Sequence, residues 1–190
     1  MTSAIAPAHD CVIVDASCVI SLYASSRMED ILVAVSQSVA VATHVRDVEA
    51  LRIGGRIAGG VREPDERIDL QPFIDAGLLV VVQPESESEN IAYVNFAASV
   101  ADGEAITGAI AVHRHWAIGI DDLDARKLFA REAPQLQLIS TPEFVKHWVD
   151  NAQPSPDVVR AALQDVRVRG RYVPGMRHPL HGWWMALENG

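Results

Sequence analysis

Carboxylates that directly follow apolar runs are the residues of this chain with the clearest chemical potential. Asp15 follows the run at 11–14, and the adjacent pair Asp121 and Asp122 follows the run at 117–120. Neighbouring carboxylates repel one another, and their pKa values rise when no cation offsets the charge. A divalent cation removes this repulsion, and oxygen ligands with few His or Cys residues suit Mg²⁺ or Mn²⁺. The sequence therefore predicts a site for one of these metals.

Further acids lie on predicted helices beside these positions. Glu49 lies within a helical pattern at 44–58, and Asp102 and Glu104 begin a helix rich in small residues. Gly108 is one turn beyond Glu104 on the same face, so this helix can approach a sheet closely. Glu104 would then project over the ends of the strands.

Each acid also has a purely structural interpretation. Asp15 could cap the helix that follows it, and either Asp122 or Asp124 could cap the helix after the aspartate pair. Asp102 could cap the helix that Glu104 begins. Glu49 could be a solvated helix residue paired with a neighbouring arginine. Helix capping explains each acid singly, but it explains less well why acids recur at strand ends in a chain with only two lysines.

The elements that must position these acids alternate between strand and helix. Strands are predicted at 11–14, 39–43, 78–83, 117–120 and 136–140, with helical patterns between them. This alternation predicts an α/β fold in which helices cover both faces of a mainly parallel sheet. Sites in such folds form at the carboxyl ends of the strands, where Asp15 and the aspartate pair lie.

Composition limits the classes of function. The chain has 190 residues, 49% of them hydrophobic, and a formal net charge of -9. A protein that binds nucleic acid mainly through its overall charge should instead be basic. Two cysteines without zinc spacing are typical of a reducing compartment. The first ten residues have no signal-peptide pattern, and no apolar run reaches membrane-spanning length, so we expect a cytoplasmic protein that makes no membrane contact.

The chain divides by composition near residue 150. We expect one domain at 10–150 and an extension at 151–190 that packs on it. The extension carries five arginines against three acidic residues and contains the pair Trp183 and Trp184. Arginines mixed with aromatic residues are typical of single-strand RNA binders, but two adjacent Trp residues equally suit a clasp that packs on the domain.

Three stretches together resemble the PIN-domain nucleases, and in particular the toxin ribonucleases of the VapC type. They are VDAS at 14–17, DGEAITGAIA at 102–111 and IDDLDARKLFARE at 120–132. The resemblance covers roughly residues 10–150. It implies a three-layer α/β/α sandwich with a mainly parallel sheet, and Mg²⁺- or Mn²⁺-dependent cleavage of RNA.

Carried over by position, the resemblance implies specific roles. Asp15 is the first acidic ligand, and Ser17 is the hydroxyl that orients its carboxylate or a metal-bound water. Glu104 matches the acid that opens the central helix, with Asp102 in support. Asp122 matches the acid after the fourth strand, with Asp121 as a neighbouring metal ligand.

A second family acid belongs on the helix after the second strand. Glu49 is our choice for this catalytic acid, although Asp47 lies two residues away and the register leaves both open. The resemblance also implies partners: an RNA substrate, a cognate antitoxin protein and a second copy in a homodimer.

Other classes of function fit the sequence less well. A PIN-like module without activity, which binds RNA or protein, is the main alternative, and the uncertain second acid supports it. A phosphoacceptor receiver domain needs an acidic pair after its first strand and a lysine after its last, and neither is present. No GxGxxG pattern follows a strand, which argues against a dinucleotide-binding fold.

Overall fold

The computed structural model describes residues 9–190, except for the side chain of Ala58. Residues 1–8, on which part of the signal-peptide prediction depends, lie outside the described residues. The strands of the described part are β1 (Cys11–Val14), β2 (Ser38–Ala42), β3 (Arg52–Ile53), β4 (Ile57–Ala58), β5 (Val61–Arg62), β6 (Glu66–Arg67), β7 (Val80–Val82), β8 (Ala117–Gly119) and β9 (Leu138–Ile139). The helices are α1 (Ala16–Ala24), α2 (Met28–Ala34), α3 (Gln71–Asp75), α4 (Glu87–Ala97), α5 (Asp102–Arg114), α6 (Leu123–Glu132), α7 (Thr141–Ala152), α8 (Pro156–Arg169) and α9 (His181–Asn189).

A five-stranded, all-parallel sheet forms the centre of the molecule, in the order β7-β2-β1-β8-β9. Val12 pairs with Val39 on one side and with Ala117 on the other. The four residues of β1 are at most 5% exposed, as expected for an apolar, β-branched strand that is covered on both faces. The predicted α/β class with a parallel sheet is therefore confirmed.

The strand order places helices on both faces of the sheet. The chain steps from β1 to β2 and β7 in one direction, and later from β8 to β9 in the other. Because crossovers between parallel strands are right-handed, the connections made in opposite directions lie on opposite faces. The central helix α5 packs against β1, β2 and β8, and α1 lies beside α2, α7 and α8.

The segment predicted as one helix at 44–58 is different in the structure. Only Val45–Glu49 continues as a short π-helical turn, and the chain then enters the two-residue strand β3. A side chain at Gly55 would collide with the backbone carbonyl of Glu63, so the two Gly residues allow two chain segments to lie against each other. The charged stretch at 59–69 contains β5 and β6, which pair antiparallel with β4 and β3.

The extension packs on the sheet domain mainly through α8. Helix α8 packs on α1, and α9 packs on α8. Trp184 is fully buried, and the ammonium group of Lys146 lies 5.4 Å from the centroid of the Trp183 ring. The aromatic pair thus packs against the rest of the protein. Within residues 9–190, none of the helices has the length and apolar character needed to cross a bilayer.

Candidate active site

Asp15 lies at the carboxyl end of the central strand and is only 2% exposed. Its backbone N–H donates to the carbonyl of Gly119 (2.9 Å), which ties it to β8. Its carboxylate caps α1 by accepting from the Cys18 N–H at 2.9 Å, and it also accepts from the hydroxyl of Ser17 at 2.9 Å to each oxygen. The predicted capping role is confirmed, and the carboxylate is fixed at the same time.

Asp121 lies beside Asp15 and turns inward. One carboxylate oxygen accepts from the Thr141 N–H at 2.8 Å, and the other accepts from the Thr141 hydroxyl at 2.5 Å. Cys18 Sγ lies 3.6 Å from the second oxygen. The Asp121 N–H donates to the Ser17 hydroxyl at 3.2 Å, so Ser17 links the two aspartates.

The pKa values of Asp15 and Asp121 are both raised, as expected for buried acids that no cation neutralises. Burial is the main cause that raises the pKa of Asp15 to about 7; the negative charges of Asp121 and Glu104 contribute to this rise, and the bonds from Cys18 and Ser17 only partly oppose it. Burial also raises the pKa of Asp121, against the effect of the Thr141 bonds. Within residues 9–190, neither aspartate forms an ion pair with Lys, Arg or His.

Glu104 is half-buried near the start of α5. Its charge acts on the buried Asp15, and the charges of Asp122 and Glu49 act on it. Burial raises its pKa, and the charges of Asp122 and Glu49 add to the effect. Its carboxylate accepts from the N–H of Ala101 at 3.1 Å. The N-cap of α5 is Ala101, so the predicted capping role of Asp102 is wrong.

Asp102 itself points away from the other acids. Its carboxylate accepts from the hydroxyl of Tyr93 on α4 at 3.1 Å. It is the first residue of α5, so the helix turns its side chain out of the group of acids that Glu104 joins. The structure therefore gives Asp102 a contact between two helices.

Glu49, rather than Asp47, reaches the other acids. Its carboxylate accepts from the N–H of Gly103 at 2.9 Å and lies 3.5 Å from His44 Nε2. A side chain at position 103 would collide with this carboxylate, so the glycine makes the contact sterically feasible. Asp47 is exposed and pairs with its neighbour Arg46. The predicted arginine partner of Glu49 is replaced by a helix N-terminus, which favours a negative charge.

Asp122 points outward, although it is adjacent to Asp121 in sequence. It is exposed and caps α6, with one oxygen accepting from the N–H groups of Asp124 and Ala125 at 2.9 Å each. The predicted capping role is confirmed. Its charge still affects Glu104, so it forms the outer edge of the group of acids.

We call Asp15, Glu49, Glu104, Asp121 and Asp122 the carboxylate cluster. Among residues 9–190, no three His, Cys, Asp or Glu side chains converge closely enough to hold a metal ion in the conformation described. Instead, one carboxylate oxygen accepts a hydrogen bond from a backbone N–H in each of Glu49, Glu104 and Asp122. The donor set nevertheless fits Mg²⁺ or Mn²⁺, because it consists of carboxylate oxygens. Ligation requires Glu104 and Asp122 to turn toward Asp15.

Three residues of the site were not predicted. Thr141 follows the last strand, and the rule that sites lie at carboxyl ends could have found it. It is the first residue of α7, and the N-cap of this helix is Ser140. Cys18 has no zinc spacing that would have pointed to a site, yet it contacts both aspartates, Asp15 through its N–H and Asp121 through Sγ. Tyr172 belongs to the extension and interacts electrostatically with Asp121, and no local sequence pattern signals this proximity.

Comparisons of the chain with protein-family models, with curated proteins and with solved structures found no match.

Proposed function

We propose that this protein is a metal-dependent endoribonuclease whose active site is the carboxylate cluster. The single observation that carries the proposal is the environment of Asp15. It is buried at the end of the central strand, it forms no ion pair with any residue in 9–190, and two further acids act on it electrostatically. A protein gains no stability from burying like charges together, so this arrangement favours a role for the acids that involves a cation.

The chemistry that Mg²⁺ or Mn²⁺ supplies when bound is a hydroxide nucleophile and neutralisation of charge on the phosphodiester. Asp15, Glu104, Asp121 and Asp122 are the residues that would hold the cation. Ser17 orients the Asp15 carboxylate through its hydroxyl and accepts from the Asp121 N–H, so it fixes the spacing of the two acids. Such oriented ligands are what a metal site needs from its surroundings.

Glu49 supports the site through its contact with the start of α5. Its bond to the Gly103 N–H fixes the π-helical turn against the start of α5, one residue before Glu104. Displacing Glu49 would therefore also disturb the backbone that carries Glu104. The net charge of -9 means that phosphate groups must be met by metal or by local arginines, since the chain as a whole repels them.

The biological role that fits this proposal is the toxin of a toxin–antitoxin pair. Its antitoxin would be a protein that inserts a cationic side chain, such as an arginine, among the acids. Arginine suits this task because its planar guanidinium binds carboxylates in a bidentate manner. A homodimer belongs to the same proposal.

A PIN-like module without catalytic activity, which binds RNA or protein, is the second candidate. It is favoured by the backbone hydrogen bonds of Glu49, Glu104 and Asp122, which hold these carboxylates away from a common point. Such a module would keep the fold and would not need a cation.

An assay of RNA cleavage by the purified protein distinguishes the endoribonuclease from the inactive binding module. We expect cleavage with Mg²⁺ or Mn²⁺ that EDTA abolishes, and that the double variant Asp15→Asn, Asp122→Asn lacks. The matched control is Asp47→Asn, which removes an exposed acid that pairs only with Arg46. If the wild-type protein cleaves no RNA under any of these conditions, the enzyme is excluded and the binding module remains.

A further inference from the structure

Two arginines, Arg52 and Arg67, face each other on the segment that follows the π-helical turn. Strands β3 and β6 pair antiparallel, with Arg52 directly opposite Arg67. The next pair along this ladder joins Ile53 to Glu66, and Ile53 is only 2% exposed. Successive side chains of a strand point to opposite faces, so the two arginines share the outer face, where both are exposed. We call Arg52 and Arg67 the arginine pair.

The arginine pair has no anionic partner. Within residues 9–190, neither arginine forms an ion pair. Arg52 donates to the backbone carbonyl of Asp65 at 3.3 Å, and Arg67 makes no side-chain hydrogen bond in this part of the chain. Arg56 of the same segment, in contrast, pairs with Asp165 at 3.0 Å. Because like charges directly opposite each other destabilise a sheet, the stability of the fold does not account for the arginine pair.

Backbone hydrogen bonds connect the arginine pair to the carboxylate cluster. The N–H of Leu51 donates to the carbonyl of Glu49 at 3.0 Å, and the N–H of Ile68 donates to the carbonyl of Leu51 at 2.9 Å. Leu51 precedes Arg52 and Ile68 follows Arg67, so each arginine is adjacent to a residue of this hydrogen-bonded path. The chain from Glu49 to Arg52 spans at most about 11 Å. One RNA strand can therefore contact both the arginine pair and the cluster.

We propose that the arginine pair binds the backbone phosphates of an RNA strand whose scissile bond lies at the carboxylate cluster. This inference rests on the proposed function, because it names the substrate contact of the same site. The net charge of -9 repels RNA, so binding requires a local cationic site. Arginine suits phosphate because its planar guanidinium can donate two parallel hydrogen bonds to the oxygens. A phosphate held by both guanidinium groups would also remove their mutual repulsion.

The test compares Arg52→Gln, Arg67→Gln and the double variant with the control Arg131→Gln. Arg131 is also exposed, and it lies near the end of α6, which runs from the carboxyl end of β8 to the opposite edge of the sheet. The first assay is the binding of a fluorescein-labelled, single-stranded RNA in EDTA, followed by anisotropy at several salt concentrations. The others are Mn²⁺ binding by calorimetry, the kcat and KM of RNA cleavage, and urea unfolding.

We expect each single substitution in the arginine pair to weaken RNA binding about fivefold at about 0.1 M salt, and to reduce the slope of log affinity against log salt by about 0.7, as for the loss of one phosphate contact. KM for RNA should rise by a similar factor, while kcat and Mn²⁺ affinity stay unchanged. The variants should be no less stable in urea than the wild type, because each removes a like-charge repulsion. Arg67→Lys should keep most of the salt dependence, and Arg131→Gln should match the wild type in RNA binding and cleavage.

Equal RNA affinity and KM in the wild type and the double variant would overturn the inference, and cleavage by both proteins would leave the proposed enzyme intact. An equal loss of affinity in Arg131→Gln would also overturn it, since overall charge would then account for the effect. A wild-type protein that binds RNA without cleaving it would exclude the enzyme, and the comparison in EDTA would still decide the role of the arginine pair. A wild-type protein that neither binds nor cleaves RNA overturns both proposals.

Discussion

Replacing Gly103 with alanine should destabilise the protein because of one carboxylate. Gly103 is the second residue of α5, and its N–H donates to Glu49 at 2.9 Å. An alanine side chain would occupy the position of the Glu49 carboxylate and force it away. Gly182 is the matched control, because it is the second residue of α9 and nothing lies within 4 Å of a side chain placed there.

The magnitude follows from two opposing effects. Alanine gains about 1 kcal/mol over glycine in a helix, and this gain applies equally at both positions. Loss of a hydrogen bond to a charged group costs about 1.5–3 kcal/mol, and only Gly103→Ala suffers it. The free energy of unfolding of Gly103→Ala should therefore lie about 1.5–3 kcal/mol below that of Gly182→Ala.

Urea unfolding at pH 7 measures this difference, and a second change identifies its cause. In the double variant Gly103→Ala, Glu49→Ala the collision is absent, so adding Glu49→Ala should cost less than it does in the wild-type background. Equal stability of Gly103→Ala and Gly182→Ala would refute the contact between Glu49 and α5, and with it the assignment of Glu49 to the cluster.

Three further predictions concern the framework of the site. Burial alone would raise the pKa of Glu89, but the bonds from Arg114 and from two backbone N–H groups lower it to about 2. A lowered pKa means that Glu89 stabilises the fold above its unfolded pKa, and that this contribution, about 3 kcal/mol, is lost as pH falls toward 2. The free energy of unfolding, measured against pH, should therefore fall less steeply in acid for Glu89→Gln than for the wild type. The same slope in both proteins would contradict this. Gly108→Ala should lose about 1–3 kcal/mol in urea unfolding, because its side chain would overlap the ring of Phe129; unchanged stability would argue against this close packing. Thr141→Val removes a hydroxyl from Asp121, so calorimetry should show weaker Mn²⁺ binding than Thr141→Ser, and equal affinities would count against the role of this hydroxyl.

The sheet could be predicted from the sequence because its signal is local. Runs such as 11–14 are apolar, β-branched and short, and burial on both faces leaves no alternation of polar residues. The parallel arrangement followed from the helices between the strands. Asp15 could then be placed at the carboxyl end of β1, because a strand is expected to end where its apolar run ends.

The directions of the side chains could not be predicted in the same way. Asp121 and Asp122 are adjacent, and contacts with residues distant in sequence, such as Thr141 twenty residues later, hold the first inward. Asp102 resembled a cap, but Glu104 supplies the acceptor for the Ala101 N–H. Such choices depend on packing between distant segments, which no short window contains.

The segment at 44–58 and the extension show a second limit. The helical pattern at 44–58 was overridden by two glycines that allow close backbone contact and by pairing with residues beyond 59. The proximity of Tyr172 to Asp121 depends on the path of the chain after α8. Tertiary contacts of this kind routinely outweigh local preference.

Thermal unfolding with and without Mn²⁺ tests the central claim most directly, with Asp15→Asn as the variant and Asp47→Asn as the control. Asp15 is buried without a cation and its pKa is raised to about 7, so Asp15→Asn should be at least as stable as the wild type when no metal is added. A ligand that binds only the folded state raises Tm. We predict that Mn²⁺ raises the Tm of the wild type and of Asp47→Asn and leaves that of Asp15→Asn unchanged. A wild-type Tm that does not respond to Mn²⁺, or an equal rise in all three proteins, would contradict a metal site at the carboxylate cluster.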